Sequence, residues 1–223
     1  MSDVLVRAQG ALTLIGGGPV EPRDMDEALA LAPRIVAADG GLNHLSIGQV
    51  RPEAVIGDID STDPALAERH GVPVHKIAEQ DSTDLEKCLR SIEASAIIGI
   101  GFLGGQTDHH LAAMNTLVRT KRCPVVLLGG DDICFRCPAE LCLDLEAGTR
   151  VSLFPMAPSV GHISEGLRWS VNRLAMRPDG QIGTSNEASG GRMRVGFEDA
   201  PVLVILPRQT LGQVFAVLSP LGG

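Results

Sequence analysis

The chain has 223 residues, 44% of them apolar, and a net charge of −8. That length admits one large domain or two modest ones with a good-sized core, and the apolar share argues against disorder. Residues 1–136 hold 19 Asp/Glu against 12 Lys/Arg and residues 137–223 hold 8 against 7, a balance that argues against nucleic acid as a partner. No stretch of about 18 apolar residues could span a bilayer, and no charged-then-apolar signal segment opens the chain, so a soluble, cytoplasmic protein is expected. The five Cys fall in no disulfide framework, which suits a reducing compartment.

Strand and helix signals alternate through the first 130 residues. Ala11–Ile15 reads as a strand running into Gly16-Gly17-Gly18, and Asp24–Ala32 as a helix with Asp24 a candidate N-cap. Arg34–Ala38 is a strand ending at Asp39, Leu42–Ile47 a short helix, and Ala54–Ile56 a strand ending at Asp58. Pro64–His70 is helical and Val72–Ile77 a strand leading to Gln80. Thr83–Ser95 is an amphipathic helix, Ala96–Phe102 a buried strand, Leu111–Thr120 a helix and Val125–Leu128 a strand. This alternation predicts an α/β domain with a mostly parallel sheet and helices on both faces.

The texture changes near residue 137. Leu141–Leu145, Arg150–Pro155, Gly161–Val171, Arg192–Phe197 and Val202–Leu206 are short alternating runs separated by Gly, Pro, Asn and Asp. They predict a small all-β sandwich, with Gln213–Leu218 either a closing helix or a strand. The expected domains are 1–136 and 137–223. Cys134, Cys137 and Cys142 form a local cluster at this junction, but no second Cys-x-x-Cys or His pair completes a zinc set, and they read as ordinary thiols.

Four acidic, glycine-flanked segments follow the predicted strands: Ala38-Asp39-Gly40-Gly41, Gly57-Asp58-Ile59-Asp60-Ser61, Gln80-Asp81-Ser82-Thr83-Asp84 and Gly104-Gly105-Gln106-Thr107-Asp108-His109. In an open α/β sheet the C-terminal strand ends converge on one crevice, where ligands bind. Carboxylates gathered there repel one another unless a cation joins them, and Mg²⁺, which takes oxygen ligands together with substrate phosphates, fits best. Asp58 and Asp60 are two apart and can face one ion. A calcium loop starting at Asp58 is excluded, because its sixth and twelfth positions would be Asp63 and Arg69 rather than Gly and Glu. Thr62 or Asp63 is the candidate cap for the helix at Pro64, and Ser82 or Thr83 for the next one. His109 and His110 are adjacent, so they project from different faces of a helix. The Gly16–Gly18 turn lacks the residues of a P-loop and the spacing of a dinucleotide fingerprint. Trp169, the chain's one Trp beside Gly166-Leu167-Arg168, reads as a binding platform rather than core.

Taken in order, these segments resemble the thiamine pyrophosphokinase family, and Gly166-Leu167-Arg168-Trp169 and Gly183-Thr184-Ser185-Asn186-Glu187 look like that family's thiamine-side motifs. The resemblance implies transfer of a diphosphoryl group from ATP to the hydroxyl of thiamine, giving thiamine diphosphate and AMP, by a homodimer with active sites at the subunit interface. It implies that Asp58, Asp60 and Asp84 hold Mg²⁺ and the ATP phosphates. Asp39, Gly40, Asn43, Gln80, Thr83, Gln106 and Asp108 would line the nucleotide and phosphate pocket, while Trp169, Ser185 and Asn186 would meet thiamine. Asp84 or Asp108 would take the proton of the thiamine hydroxyl. One position departs from the family segment: Gln106 stands where Arg is usual, and Arg168 or Lys76 could replace its charge. A binding protein without turnover and a diphosphokinase for another alcohol, such as a pterin, are the alternatives.

Overall fold

The computed structural model describes residues 4–45, 50–198 and 201–219. The chain divides into two compact units, one of residues 1–116 with 120–130, the other of residues 117–119 with 131–223.

In the first unit, β1 (Val6–Arg7) precedes β2 (Leu12–Ile15), α1 (Pro22–Leu31), β3 (Arg34–Ala38), β4 (Ala54–Gly57), α2 (Pro64–His70), β5 (Val74–Lys76), α3 (Asp84–Ser91), β6 (Ile92–Glu93), β7 (Ile97–Ile100), α4 (Thr107–Arg119) and β8 (Val125–Gly129). Among the described residues, six strands lie in the order β8-β7-β2-β3-β4-β5, every pairing parallel. The strands β2, β4 and β7 are buried at every position, which is why they read as unbroken apolar runs rather than alternating ones. Helix α1 packs on β7 and β8, and α3 on β4 and β3.

The helix boundaries follow the caps. Proline opens α1 at Pro22, and Asp24 sits inside the first turn rather than before it, its carboxylate accepting the Glu21 N–H at 2.8 Å. Asp63 caps α2 by accepting from the Ala65 N–H at 2.9 Å, and Gly71 closes that helix with φ 57°. Thr83 caps α3, accepting from the Glu86 N–H at 3.2 Å. The expected helix Thr83–Ser95 stops at Ser91, because Ile92 and Glu93 pair in parallel with Val6 and Arg7. Where Leu42–Ile47 was expected as a helix, a 3-10 turn spans Asp39–His44; Ser46 and Ile47 lie outside the described residues. Helix α4 begins at Thr107, before the expected Leu111, and so takes in Asp108, His109 and His110.

The second unit contains β9 (Asp132–Arg136), β10 (Glu140–Leu145), β11 (Arg150–Pro155), β12 (Ser159–Glu165), β13 (Ala175–Met176), β14 (Gly183–Glu187), β15 (Gly191–Phe197), β16 (Val202–Pro207) and α5 (Leu211–Leu218). Its strands pair antiparallel in two runs, β10-β15-β12-β13 and β14-β11-β16-β9. Leu141, Leu143 and Leu145 alternate inward on β10, as Met193, Val195 and Phe197 do on β15. Strand β9 clusters with this unit because it pairs along its whole length with β16. The segment left open between helix and strand, Gln213–Leu218, is helical and packs on β10.

All five cysteines are free. Burial pushes the Cys134 and Cys137 thiols up to about 12, and Cys142 accepts a hydrogen bond from Arg192 Nε at 3.0 Å.

Candidate active site

The parallel sheet grows in one direction through β3, β4 and β5 and in the other through β7 and β8, so the connection reverses beside β2. Ligands bind outside the carboxyl ends of strands at such a reversal. A cavity of about 900 Å³ lies there, lined from four strand ends by Gly16–Gly18, Gly40 with Asn43, Asp58 with Asp60, and Gly101 and Phe102 with Gly104 and Gly105. Backbone crowding dictates two glycines of the first turn: a Cβ on Gly16 or Gly18 would lie 2.6 or 2.7 Å from the Gly101 carbonyl oxygen.

Carboxylate oxygens of Asp39, Asp58 and Asp60 lie within 4.8 Å of one another, the grouping among the described residues able to hold a metal ion. They differ in burial. Asp39 is 1% exposed, Asp58 is half-buried and Asp60 exposed. Asp39 Oδ2 accepts from the Ser61 N–H at 3.0 Å and Oδ1 from the Thr62 hydroxyl at 2.7 Å. Asp58 Oδ2 accepts from Gln80 Nε2 and from Lys87 Nζ, both at 3.0 Å. Its other oxygen, Oδ1, is buried with no hydrogen-bond partner. An orphaned anionic oxygen is costly in a protein interior, and a divalent cation bound there satisfies it; the donor set of aspartate oxygens suits Mg²⁺.

Asp84 stands beside this gathering on the first turn of α3. Its Oδ1 lies 3.3 Å from Lys87 Nζ, and it would lie 3.2 Å from a Cβ added at Gly57. Burial raises the Asp84 carboxyl above the usual range, with the charges of Asp58 and Asp39 adding to the rise and Lys87 opposing it. Burial acts on Asp58 as well, but the hydrogen bonds from Lys87 and Gln80 prevail and hold it below its ordinary value. Lys87 loses charge stability by burial and regains more from Asp58 and Asp84, so its ammonium is held above its ordinary value.

Lys87 was missed in the sequence. Its side chain is 2% exposed, and it is the cation of this cluster. The signal was present: Lys87 follows Asp84 by three on one helix, among Leu85, Cys88 and Leu89, all buried. Glu79 was missed too. Its carboxylate accepts from the Ser82 hydroxyl, from the Asp81 N–H at 2.8 Å and the Ser82 N–H at 3.2 Å, and from Arg90. It thereby fixes the segment carrying Gln80 and Thr83, both of which line the cavity.

On the far side of the cavity, Gln106 and His109 are lining residues, but Asp108 is not. Asp108 is exposed in the first turn of α4 and accepts from the neighbouring His109 N–H at 2.9 Å. His110 Nδ1 accepts from the Gly104 N–H at 3.2 Å, a structural use that leaves His109 the one directed to the cavity.

The second unit has a smaller cavity of about 330 Å³, lined by Trp169, Ser170, Leu174 and the 181–186 segment. Trp169 is 52% exposed, with the Arg168 guanidinium 4.6 Å from its ring centroid and paired to Glu187 at 2.9 Å. Asn186, 4% exposed, spends its amide on the backbone: Oδ1 accepts from the Trp169 and Glu187 N–H groups at 3.1 and 2.9 Å, and Nδ2 donates to the Trp169 carbonyl at 2.7 Å. Those bonds tie it to the Trp169 backbone, and it also lines the smaller cavity. Ser185 is exposed with φ 56°, its N–H donating to the Ser152 hydroxyl at 3.0 Å.

The thiamin pyrophosphokinase catalytic-domain model matches residues 25–127, and the vitamin B1 binding-domain model of the same enzyme matches residues 140–202. Thiamine pyrophosphokinase 1 of Oryza sativa subsp. japonica is 30% identical over 194 residues, 72% of this chain and 74% of that protein. Thiamin pyrophosphokinase 1 of Caenorhabditis elegans is 28% identical over 173 residues, 69% of this chain and 71% of that one. The fold is shared with the thiamin pyrophosphokinase from Candida albicans, at a TM-score of 0.74 and 19% identity with 89% of each chain covered. With both domain models matched in order along the chain, this protein belongs to the thiamin pyrophosphokinase family.

Proposed function

We propose that this chain transfers the diphosphoryl group of ATP to the hydroxyl of thiamine, forming thiamine diphosphate and AMP. Family membership supports the reaction. The observation that carries the chemistry is Asp58 Oδ1, a buried carboxylate oxygen without a partner on a residue that lines the larger cavity, close to Asp60.

Asp58 and Asp60 would hold Mg²⁺ there, with Asp84 beside them. When bound, the ion neutralises charge on the phosphates and aligns them for in-line displacement. Lys87 keeps Asp58 ionised and supplies the positive charge that Gln106 cannot. Gln80 and Thr83, with Gly40 and Asn43 opposite, line the space for the nucleotide and its phosphates. Asp84 is the base that takes the hydroxyl proton: it lines the cavity, burial raises its carboxyl above its ordinary value, and Asp108 lies outside the lining. Trp169 gives the thiazolium cation an aromatic face, and Ser185 a hydroxyl beside it.

The proposal includes a homodimer with active sites at its interface, and a cytoplasmic location, which the five free thiols suit. Among the described residues no helix is long and apolar enough to cross a membrane.

Product analysis with ATP, Mg²⁺ and thiamine tests the reaction. AMP and thiamine diphosphate in equal amounts are expected, and their loss in Asp58→Asn and Asp60→Asn without loss of fold. ADP with thiamine monophosphate would mean a monophosphoryl kinase, and bound thiamine without turnover a binding protein.

A further inference from the structure

We infer that Asp39 is a positioning residue: its carboxylate latches the segment after Asp60 and holds Ile59 in a left-handed backbone conformation, which turns Asp58 and Asp60 toward one cation. The inference rests on the reading of Asp58 and Asp60 as metal ligands.

Ile59 has φ 63°. A β-branched side chain rarely adopts that conformation, and such residues persist only where the surroundings impose it. Oxygens of Asp58 and Asp60 come within 4.8 Å, and the left-handed residue between them sets how the chain turns from one carboxylate to the next. No glycine or asparagine makes the turn easy, so something must hold it.

Asp39 is the group placed to do so. Both its oxygens are committed to the downstream end of the turn, Oδ2 to the Ser61 N–H and Oδ1 to the Thr62 hydroxyl. Thr62 is itself buried, so the latch closes away from water. Upstream, Gly57 admits Asp39 into contact with the strand: a Cβ there would lie 2.7 Å from Asp39 Cβ and 3.3 Å from Asp39 Cα. Asp39 thus braces the turn at both ends. Its own φ of 33° is left-handed as well. It is 1% exposed and does not line the 900 Å³ cavity, unlike Asp58 and Asp60, so a nucleotide-contacting role does not suit it. The rival role is a third metal ligand, since its oxygens also fall within the acidic grouping.

A double-mutant cycle separates latch from ligand. The variants are Asp39→Asn, Ile59→Asn and their combination, with Ile59→Gly as a second version, because Asn and Gly tolerate the left-handed region. Mn²⁺ binding to the purified protein, read by electron paramagnetic resonance, and Tm are measured alongside the Mg²⁺ dependence of turnover. Asp39→Asn is expected to weaken Mn²⁺ binding by about 10–100-fold, the scale of losing a group that orients a metal ligand. Ile59→Asn alone is expected to raise Tm by about 2–4 °C through relief of strain. In the combination, Mn²⁺ binding recovers by about tenfold over Asp39→Asn, because an unstrained turn needs no latch. Failure of both Ile59 changes to restore any binding would make Asp39 a ligand and overturn the inference. Unchanged Mn²⁺ binding in Asp39→Asn would overturn it as well. If Asp58→Asn binds Mn²⁺ as the unaltered protein does, the metal reading itself is wrong and the inference falls with it.

Discussion

Lys87 Nζ lies 3.0 Å from Asp58 Oδ2, although the two residues stand 29 positions apart. The ammonium also reaches Asp84, and with its side chain 2% exposed it answers two carboxylates at once. Removing it leaves both acids uncompensated. We predict that Lys87→Met lowers kcat by at least about 10²-fold, the cost of deleting one preorganised electrostatic partner. It should also cost about 1–3 kcal/mol of stability, less than a fully buried pair because Asp84 is partly exposed. Lys87→Arg should not restore activity, since a planar fork cannot occupy the space of a point charge between the two. Steady-state kinetics with thermal melts check this; near-normal kcat in Lys87→Met would remove Lys87 from the site.

Three of the acidic segments were legible because they follow buried strands, β3, β4 and β7, that advertise themselves as apolar runs. The Gln80 segment follows β5, Val-His-Lys, which has no buried position, and was marked by its own Asp-Ser-Thr-Asp instead. Lys87 was legible only in part: its apolar neighbours hint at burial, but on a helix drawn in isolation Asp84 and Lys87 look like an ordinary surface pair at i, i+3. Only the approach of Asp58, delivered by β4, turns that pair inward. Asp39 was expected to line the nucleotide pocket, and its engagement could not be read from the sequence, because its partners, Ser61 and Thr62, are 22 and 23 positions away. In the same way the engagement of the Asn186 amide by the Trp169 backbone, 17 positions away, is not visible in the sequence.

Glu79 gives a pH signature. The Ser82 hydroxyl and Arg90, against a counteracting burial effect, hold its carboxyl down from 4.5 to about 2. A depressed acid contributes stability that is present above its unfolded value and is lost as pH falls through the folded one, so the window is about 4.5 to 2. Across it the Asp81 and Ser82 amides should lose protection from hydrogen exchange. In Glu79→Gln those amides should be poorly protected at neutral pH and show no further change in that window. Carboxyl chemical shifts followed by NMR check the assignment; a Glu79 midpoint near 4.5 would contradict the anchor.

The fold was legible where period and burial coincide, as on β10 and β15, and obscure where pairing is long-range. Helix α3 ends at Ser91 because Ile92 and Glu93 are claimed by Val6 and Arg7 from the other end of the unit. Strand β14, Gly-Thr-Ser-Asn-Glu, has no apolar alternation to betray it, and is a strand through its pairing with β11. Strand β9 reads as the tail of the first domain until its antiparallel match with β16 is known.

The Cys134 and Cys137 thiols, held by burial at about 12, should resist alkylation in the folded protein at pH 8, where almost none of either is thiolate. Mass spectrometry after iodoacetamide treatment should find both unmodified until the chain is unfolded. Rapid labelling of either in the native state would mean that the second unit opens around β9 far more readily than its packing implies.

Trp169 offers a direct view of substrate binding, because it is the chain's one tryptophan and its emission reports a single place. Thiamine stacked on its exposed face should quench that emission saturably, without ATP or Mg²⁺. Trp169→Ala should raise KM for thiamine by about 5–30-fold, the worth of one desolvated cation–π contact, and leave KM for ATP nearly unchanged. Asn186→Ala should act through the same residue. It strands the Trp169 N–H and carbonyl and the Glu187 N–H, which the amide now satisfies, at a cost of about 1–3 kcal/mol in stability. The Trp169 emission should then shift and broaden, and KM for thiamine rise while KM for ATP stays put. Were Asn186→Ala to weaken thiamine binding with the emission of the free protein unaltered, the amide would be touching thiamine itself, and its hydrogen bonds to the backbone would be secondary.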